Sequence, residues 1–339
     1  MPSSTLRFRD HCPFTAVRLT AVAVVSWALG AAYTVWLNPE VVFFKRAAAL
    51  KLDWSRRMAQ EHRTKTVFFG GSSCTFAINN GRLLSEHQLP AANLGLGAGM
   101  GPRVLTRFAW PEVQRGDTLI MAMEPGLLTN PLDDPMLGVQ FSLALGRPEL
   151  MAAGDDLEPR ATAAKAADLL RLRPGGYHAF TLLGKLVSSQ PLYRYHLSDF
   201  QPSGWQQTAV RRPLASATAR ELHLSADARR LLGSLRAGCE QKGVRLAYSL
   251  PWVYVTAENL AAFQAANRRF LAEVAEYLPV ISDPRLGAYP VREHFADTLW
   301  HLTEEGARVR TDELARQIKD WQVWSGSELR VQPATQESR

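Results

Sequence analysis

The chain has 339 residues, 46% of them hydrophobic, and a formal net charge of +7 at neutral pH. This apolar content predicts a folded globular body and excludes an intrinsically disordered chain. The basic residues are spread along the sequence without a Lys/Arg run, so nucleic acid is not expected as a partner. The three cysteines (Cys12, Cys74 and Cys239) form no disulfide framework and no metal-site spacing, and we expect no metal and no organic cofactor.

A long apolar segment begins near the N-terminus. Residues 19–37 carry no charged side chain, and a helix of that length extends roughly 28 Å, close to the thickness of the hydrocarbon core of a bilayer. Tyr33 and Trp36 lie near its far end, where membrane proteins place aromatic residues. We predict a cytoplasmic tail at 1–18, a transmembrane anchor at 19–37 and an extracytoplasmic domain. A cleaved signal peptide is the alternative, because residues 28–32 are rich in small side chains.

Strand and helix patterns alternate after this segment. Residues 40–63 have the apolar spacing of an amphipathic helix, which we interpret as a stalk. An α/β domain is predicted at 64–322, followed by a polar tail at 323–339. A helical insertion is predicted at about 127–225, where the alternation stops, with one helix at 161–173. The predicted strands are short and apolar, and they lie at Thr66–Phe69, Ala91–Leu94, Thr118–Met123, Val244–Leu250 and Val280–Ser282.

Glycines and polar residues follow the first two predicted strands. Gly71, Ser72 and Ser73 come after the first strand, and Asn93 and Gly95 come after the second. Glycine permits a sharp turn and a close approach of substrate, and parallel sheets bind ligands at the carboxyl ends of their strands. Serine is also a frequent helix N-cap, so this segment alone fits a nucleophile or a cap. The glycine-rich loop that follows matches neither the dinucleotide-binding pattern nor a P-loop, which excludes a nucleotide site of those kinds.

An acid and a base lie just before the last predicted helix, at Asp297 and His301. A serine hydroxyl is a weak nucleophile that needs a base within hydrogen-bond reach, and the base needs an acid to fix its tautomer. The charge that develops on the carbonyl oxygen needs preorganised N–H donors. A serine, a histidine and an aspartate at strand or loop ends of one sheet are the residue types that such covalent catalysis requires.

These segments together resemble the SGNH/GDSL hydrolase superfamily, and within it the membrane-anchored branch that de-acylates or acylates cell-envelope polysaccharides. The resemblance covers about residues 64–125 and 240–320. It implies a three-layer α/β/α sandwich with a mainly parallel, flavodoxin-like sheet. It also implies a bacterial inner-membrane protein, held through residues 19–37, whose catalytic domain lies in the periplasm.

The resemblance also implies roles for particular residues. Ser73 is the expected nucleophile, because the family's serine follows a glycine by two positions, and Ser72 is its closest competitor. His301 is the expected base and Asp297 the residue that orients it. The main-chain amides of Ser73 and Gly95 are the expected oxyanion hole. Three further residues are candidates for the oxyanion hole, for contact with substrate or for support of the histidine: Glu124, Asn130 and Trp252.

Two features depart from the family's pattern. Asp297 and His301 are separated by one residue more than is usual, and His294 is a rival histidine in the wrong order. The third block of the family, which supplies an asparagine to the oxyanion hole, is replaced by Met123-Glu124-Pro125-Gly126. The asparagine of the oxyanion hole is therefore unassigned.

The function implied is that of a serine-dependent esterase or O-acyltransferase. Its substrate would be an acylated, for example acetylated, envelope or exported polysaccharide, and its partners a polysaccharide modification or export complex. The alternative is a catalytically inactive SGNH fold that binds glycan or scaffolds such a complex. The replaced third block favours the inactive alternative, whereas the retained serine, histidine and aspartate favour the enzyme.

Overall fold

The computed structural model describes residues 12–130, 135–152, 154–158, 175–189, 192–208, 210–212 and 214–328. Its first element is helix α1 (Cys12–Ala32), which continues into a one-turn π-helix (Tyr33–Leu37). Among the described helices, this N-terminal one is long and apolar enough to cross a membrane. Large apolar side chains of α1, such as Val22 and Leu29, are more than half exposed.

The second helix, α2 (Pro39–Glu61), belongs to the body of the domain. Asn38 caps it by accepting the N–H of Glu40, and Pro39 occupies its first position, where no hydrogen-bond donor is needed. One face of α2 is buried in the main hydrophobic core through Phe43, Phe44 and other residues. The helix predicted at 40–63 is present, and its apolar face contacts residues 91–93 and 136–144 of the domain, which a free-standing stalk would not do.

Four short parallel strands form the central sheet, and each coincides with a predicted strand. They are joined in the order β2-β1-β3-β4, and they are β1 (Thr66–Phe69), β2 (Ala91–Asn93), β3 (Thr118–Met121) and β4 (Arg245–Tyr248). The strand predicted at 280–282 contributes a single parallel bridge, from Val280 to Tyr248. All residues of β1 are buried, as expected for a parallel strand covered on both faces. The predicted α/β class with a mainly parallel sheet is confirmed.

The remaining described helices connect these strands or flank the sheet. In chain order they are α3 (Ser72–Ala77), α4 (Asn80–His87), α5 (Pro102–Ala109), α6 (Gly126–Thr129), α7 (Met136–Ala144), α8 (Gly175–Val187), α9 (Ala226–Lys242), α10 (Ala257–Ala275) and α11 (Glu304–Glu328). A separate parallel pair consists of β5 (Val253–Tyr254) and β6 (Ala288–Tyr289).

Helices cover both faces of the sheet. Successive residues of a strand point to opposite faces, so Phe69 and Phe68 enter different cores. Phe69 packs in the core formed with α2, α5, α9 and α10, whereas Phe68 packs in the core formed with α3, α4 and α11. These two cores fix α3 and α11 on one side of the sheet, close to the carboxyl end of β1.

The segment predicted as a helical insertion is helical only in its first part. Helices α6, α7 and α8 lie within it, but residues 192–208 contain only one turn of 3-10 helix (Leu197–Asp199), and the described residues up to 224 are irregular. The helix predicted at 161–173 lies outside the described residues. At the other end, α11 continues to Glu328, beyond the predicted domain end at 322.

Candidate active site

The turn after β1 places two serines at the carboxyl edge of the sheet. Gly70 ends the strand so close to β3 that a β-carbon there would lie 2.1 Å from the main-chain oxygen of Ala122. Only glycine fits at this approach. Helix α3 begins immediately afterwards, with Gly71 as its N-cap and Ser72 and Ser73 in its first turn. Both candidate nucleophiles therefore lie where a parallel sheet binds ligands.

Ser73 points away from open space. Its side chain is fully buried, and its hydroxyl has no hydrogen-bond partner among the described residues. Its main-chain N–H donates to Glu124 Oε1 at 2.9 Å. Glu124 follows β3, so its carboxylate caps α3, whose own N-cap residue, Gly71, has no side chain. The predicted oxyanion donor at the Ser73 amide is thus already occupied by Glu124.

Ser72 occupies a different environment. It is half-buried and borders a small enclosed cavity together with Phe76 and Tyr195. Ser72 and Phe76 are four residues apart on α3, so their side chains lie on the same face of the helix. The ring of Phe76 packs 4.2 Å from the ring of His301, measured between centroids. Ser72, the competitor, therefore borders open space on the side of α3 that carries Phe76, whereas Ser73 is enclosed.

The acid and the base lie in one tight hairpin. Phe295 and Leu302 form an antiparallel bridge, and the N–H of Ala296 donates to the main-chain oxygen of His301 at 2.8 Å. Inside the loop, the Thr298 hydroxyl oxygen accepts the N–H of His301 at 3.1 Å. This closed loop accommodates the extra residue between the aspartate and the histidine, and it places the two side chains face to face.

Asp297 is held by three donors in a buried position. His301 Nδ1 donates to Oδ1 at 2.9 Å, while the Tyr195 hydroxyl at 2.8 Å and Arg194 Nη1 at 3.1 Å donate to Oδ2. Burial by itself would raise the pKa of Asp297, but the hydrogen bond and charge of His301 and the bond from Tyr195 outweigh it and lower this pKa to about 2. The carboxylate is therefore ionised and can only accept hydrogen bonds.

This arrangement decides the tautomer of the histidine. Because Asp297 accepts the proton on His301 Nδ1, the neutral imidazole has its lone pair on Nε2. Nε2 is the nitrogen that a general base must present to a nucleophile. Across the described residues, no hydrogen bond joins His301 to either serine hydroxyl. In a site without substrate, catalytic hydrogen bonds are often long or absent and form only in the complex.

The sequence did not indicate Arg194 and Tyr195. They lie in the irregular part of the insertion, and burial raises the pKa of Tyr195 well above its ordinary value, so its hydroxyl stays protonated and acts as a donor. The rings of Tyr193 and Tyr195 pack against Phe43 of α2. The one signal in the sequence is the cluster Tyr193-Arg194-Tyr195, an aromatic and basic run within a segment that has no regular pattern.

Gly95 is a packing residue in this structure. Its N–H donates to the side chain of Asn93 at 2.9 Å, and a β-carbon at Gly95 would lie 2.8 Å from the main-chain nitrogen of Thr75. Asn93 in turn donates to the main-chain oxygens of Cys74 and Ile78, which fixes α3 against β2. The predicted oxyanion donor at Gly95 is therefore engaged inside the fold.

Other main-chain amides at the same edge lack an acceptor among the described residues, although Gly97 is itself buried against the ring of Phe44. Within the described part of the chain, the N–H groups of Ser72, Gly97 and Ala98 donate to no acceptor. Ser72 occupies the first helical position of α3, and Gly97 and Ala98 open a short 3-10 helix after β2. Amides at the start of a helical turn point outward and favour negative charge. These groups replace the predicted pair as candidate oxyanion donors.

Three secondary candidates lie outside this constellation. Asn130 is exposed and donates back to the main-chain oxygen of Gly126, so it does not reach the site. Trp252 is 1% exposed and stacks on Tyr289 in the core, so it cannot contact a substrate. His294, the rival histidine, is partnered by the Tyr289 hydroxyl at 3.0 Å. All three positions are explained by packing or local hydrogen bonds.

Comparison of the chain with protein-family models gives no match, and comparison with curated proteins gives none either. The interpretation of the site therefore rests on its own geometry and on the chemistry of its residues.

Proposed function

We propose that the protein is a membrane-anchored serine esterase or O-acyltransferase of the SGNH type that acts on acylated envelope or exported polysaccharide. Ser72 is the nucleophile, His301 the general base and Asp297 the residue that orients the base. The span at the N-terminus anchors the domain to the inner membrane of a bacterium, on the extracytoplasmic side. No metal takes part in this chemistry.

One observation carries the proposal. A buried and ionised Asp297 accepts the Nδ1 proton of His301, so Nε2 is the ring nitrogen left for a nucleophile, and the ring packs on Phe76, which lies one helical turn from Ser72. An imidazole held in one tautomer by an ionised carboxylate is costly to build inside a protein, because both groups lose hydration. A purely structural histidine does not need this arrangement at the ligand-binding edge of a sheet.

The chemistry follows in two stages. The Ser72 oxygen attacks the carbonyl carbon of the ester while His301 Nε2 takes the hydroxyl proton. The amides of Ser72 and of the 97–98 loop stabilise the negative oxygen of the tetrahedral intermediate. His301 then protonates the departing alkoxide, which leaves an acyl-serine. Water or a sugar hydroxyl then attacks the acyl carbonyl with His301 again as base. The bond to the Ser72 oxygen breaks, and this oxygen takes the proton back from His301, which gives hydrolysis or transfer.

A second candidate function has one observation in its favour. The amides of Ser73 and Gly95, which the family resemblance assigns to the oxyanion hole, both donate to side chains of the protein. This engagement favours a catalytically inactive SGNH-like domain that binds glycan or scaffolds an export complex. The intact Asp297–His301 pair argues against it, since an inactive domain has no use for an oriented base.

Labelling of the full-length protein in detergent with a fluorophosphonate probe separates these candidates. The probe reacts only with an activated serine. We expect the wild-type protein and Ser73→Ala to be labelled, and Ser72→Ala and His301→Ala to lose labelling by more than about 10³-fold. Ser73→Ala is the matched control, because it removes a neighbouring hydroxyl that makes no described hydrogen bond.

Two results would contradict this assignment. Labelling that disappears in Ser73→Ala but persists in Ser72→Ala would keep the enzyme and move the nucleophile to Ser73. A folded wild-type protein that takes up no probe would leave the binding or scaffolding domain as the better account. Identification of the modified peptide by mass spectrometry distinguishes the two serines directly.

A further inference from the structure

Helix α8 exposes a row of large apolar side chains. Phe180 is 78% exposed, Leu183 56%, Leu186 60% and Val187 78%. Their spacing of three and four residues places them on one face of the helix. A helix whose outer face is apolar in this way requires a cover other than water.

Two contacts show where this helix lies. α8 packs against α1 and against the π-helix at residues 33–37. Its inner residues Leu182 and Lys185 border a groove with Tyr33 and Asn38, at the point where the apolar N-terminal helix ends and α2 begins. The outer face of α8 therefore continues the exposed apolar surface of the N-terminal helix, which at this level includes Trp36 and Leu37.

We propose that α8 is a second membrane element, embedded beside α1 in the leaflet next to the domain, with its apolar face in contact with lipid acyl chains. Its 13 residues form a helix of roughly 20 Å, too short to cross a hydrocarbon core of about 30 Å. It therefore enters one leaflet only, as interfacial helices do.

The polar groups of α8 are compatible with this position. Just after α8, the Ser188 hydroxyl donates to the main-chain oxygen of Gly184, so its hydrogen-bonding needs are met by the last turn of the helix. Lys185 is the one charged side chain of the helix described in the structure, and its Nζ donates to the main-chain oxygen of Leu192 on the side of the domain. A lysine at the domain end of an embedded helix can keep its charge at the interface.

The embedded helix would hold part of the candidate site at the bilayer surface. The chain runs from α8 into the segment that contains Tyr195, whose hydroxyl contacts Asp297. Phe43 of α2 lines the same small cavity as Ser72 and Tyr195 and follows closely after the end of the span in sequence. The proposal itself rests on the N-terminal helix as a membrane span and does not depend on the catalytic assignment.

Depth-dependent fluorescence quenching tests the proposal on the full chain. The protein carries Cys12→Ser, and the two remaining cysteines, Cys74 and Cys239, are buried. Single cysteines at Phe180→Cys, Leu183→Cys and Val187→Cys are labelled with bimane and reconstituted into vesicles of phosphatidylethanolamine and phosphatidylglycerol. The vesicles also contain a phospholipid with a nitroxide on its acyl chain, which quenches only labels that lie within the bilayer.

Two reference positions calibrate the signal. Val25→Cys lies in the apolar part of α1, and Arg269→Cys lies on the exposed side of α10. We expect the three α8 labels to be quenched at least half as strongly as the Val25 label and at least fivefold more than the Arg269 label. Quenching of the α8 labels no stronger than at Arg269, with strong quenching at Val25, would overturn the proposal and leave the span intact.

Two further outcomes also count against it. Labels on α8 that are shielded in native membranes but unquenched in vesicles would mean that another protein covers this face. Absence of quenching at Val25 would mean that the chain does not insert, which overturns the span and the proposal together. None of these readouts uses enzymatic activity, so a failure of the proposed function would not imitate them.

Discussion

At the scale of single residues, the geometry around Asp297 explains the orientation of the histidine. Its Oδ1 atom accepts from His301, while Oδ2 accepts from Arg194 and Tyr195. With both oxygens bonded, the carboxylate cannot rotate without the loss of a charge-assisted hydrogen bond, each of which stabilises the fold by roughly 1.5–3 kcal/mol. The Tyr195 oxygen also lies 3.1 Å from His301 Nδ1, so the proton on Nδ1 is shared between Asp297 and Tyr195.

Tyr195→Phe removes the hydroxyl that donates to Asp297 and keeps the aromatic ring. We expect kcat for ester hydrolysis to fall by roughly tenfold with little change in KM, because the base is oriented less firmly while the substrate site is unchanged. Tyr193→Phe is the matched control, since the Tyr193 hydroxyl makes no hydrogen bond among the described residues and its ring packs on the same Phe43. Equal effects of the two variants would refute the positioning role of Tyr195.

The sequence predicted some of the residues of this site and not others. Asp297 and His301 could be assigned to one site because they share a short segment, and their contact follows from that closeness. The family's spacing selects Ser73 over Ser72, but spacing carries no information on direction: neighbours on a helix differ by about 100°, and the start of α3 sets which one faces the histidine. Tyr195 could not be found, since its role depends on the path of an irregular segment.

At the scale of secondary-structure elements, α3 is fixed between the ends of three strands by close contacts with glycine. Gly70 passes the end of β3, Gly71 lies against the carboxylate of Glu124, and Gly95 lies against the main chain of α3. The N–H of Leu96 donates to the oxygen of Gly70, which joins the two glycine-containing turns. The position of Ser72 is therefore set by main-chain packing on both sides of its helix.

Gly95→Ala tests this packing. The added carbon would lie 2.8 Å from the nitrogen of Thr75, a main-chain atom that cannot move without α3. We expect a loss of about 1–3 kcal/mol in the free energy of unfolding and a strong reduction of fluorophosphonate labelling. Gly126→Ala is the control, because no atom lies within 4 Å of its added carbon. A Gly95→Ala protein as stable and as reactive as the wild type would show that the packing is not tight.

The elements themselves were largely predictable. The strands of the sheet could be located because a short apolar run between breakers has few alternatives in an α/β pattern. The role of α2 could not be predicted, because an amphipathic helix has the same spacing of apolar residues whether it forms a stalk or packs on a domain. The buried lysine on that face, Lys51, is a residue type that the pattern alone would place toward solvent.

At the scale of the whole molecule, Lys51 connects stability to pH. Its side chain is buried between α2 and the ring of Phe200, and Nζ donates to the main-chain oxygen of Asn93 at 3.0 Å. Burial lowers the pKa of Lys51 to about 7, from an ordinary value of 10.5. Between these values the unfolded chain binds a proton that the folded chain does not, so the free energy of unfolding rises with pH. Below about pH 7 both states are protonated and this contribution to the slope disappears.

The wild-type protein should therefore gain stability relative to Lys51→Met as the pH rises. From pH 7.5 to 9 the expected relative gain is on the order of 2 kcal/mol, from about 1.4 kcal/mol per pH unit. Thermal or urea unfolding of the full-length protein in detergent at both values measures it. Lys319→Met, on the exposed face of α11, is the control and should follow the wild type. A pH dependence that is identical in wild type and Lys51→Met would disprove a titrating lysine in the core.

The hairpin that carries Asp297 and His301 has a consequence for the order of synthesis. Because its ends meet across a short loop, the acid–base pair can form from local chain alone, with little entropy lost in loop closure. In the proposed assignment its serine partner is Ser72, which lies far upstream in the sequence and is translated long before. An activated serine therefore cannot exist until the last segment of the domain has been made. On that assignment, a chain interrupted before the hairpin would carry the proposed nucleophile without its proposed base and would not react with a serine probe.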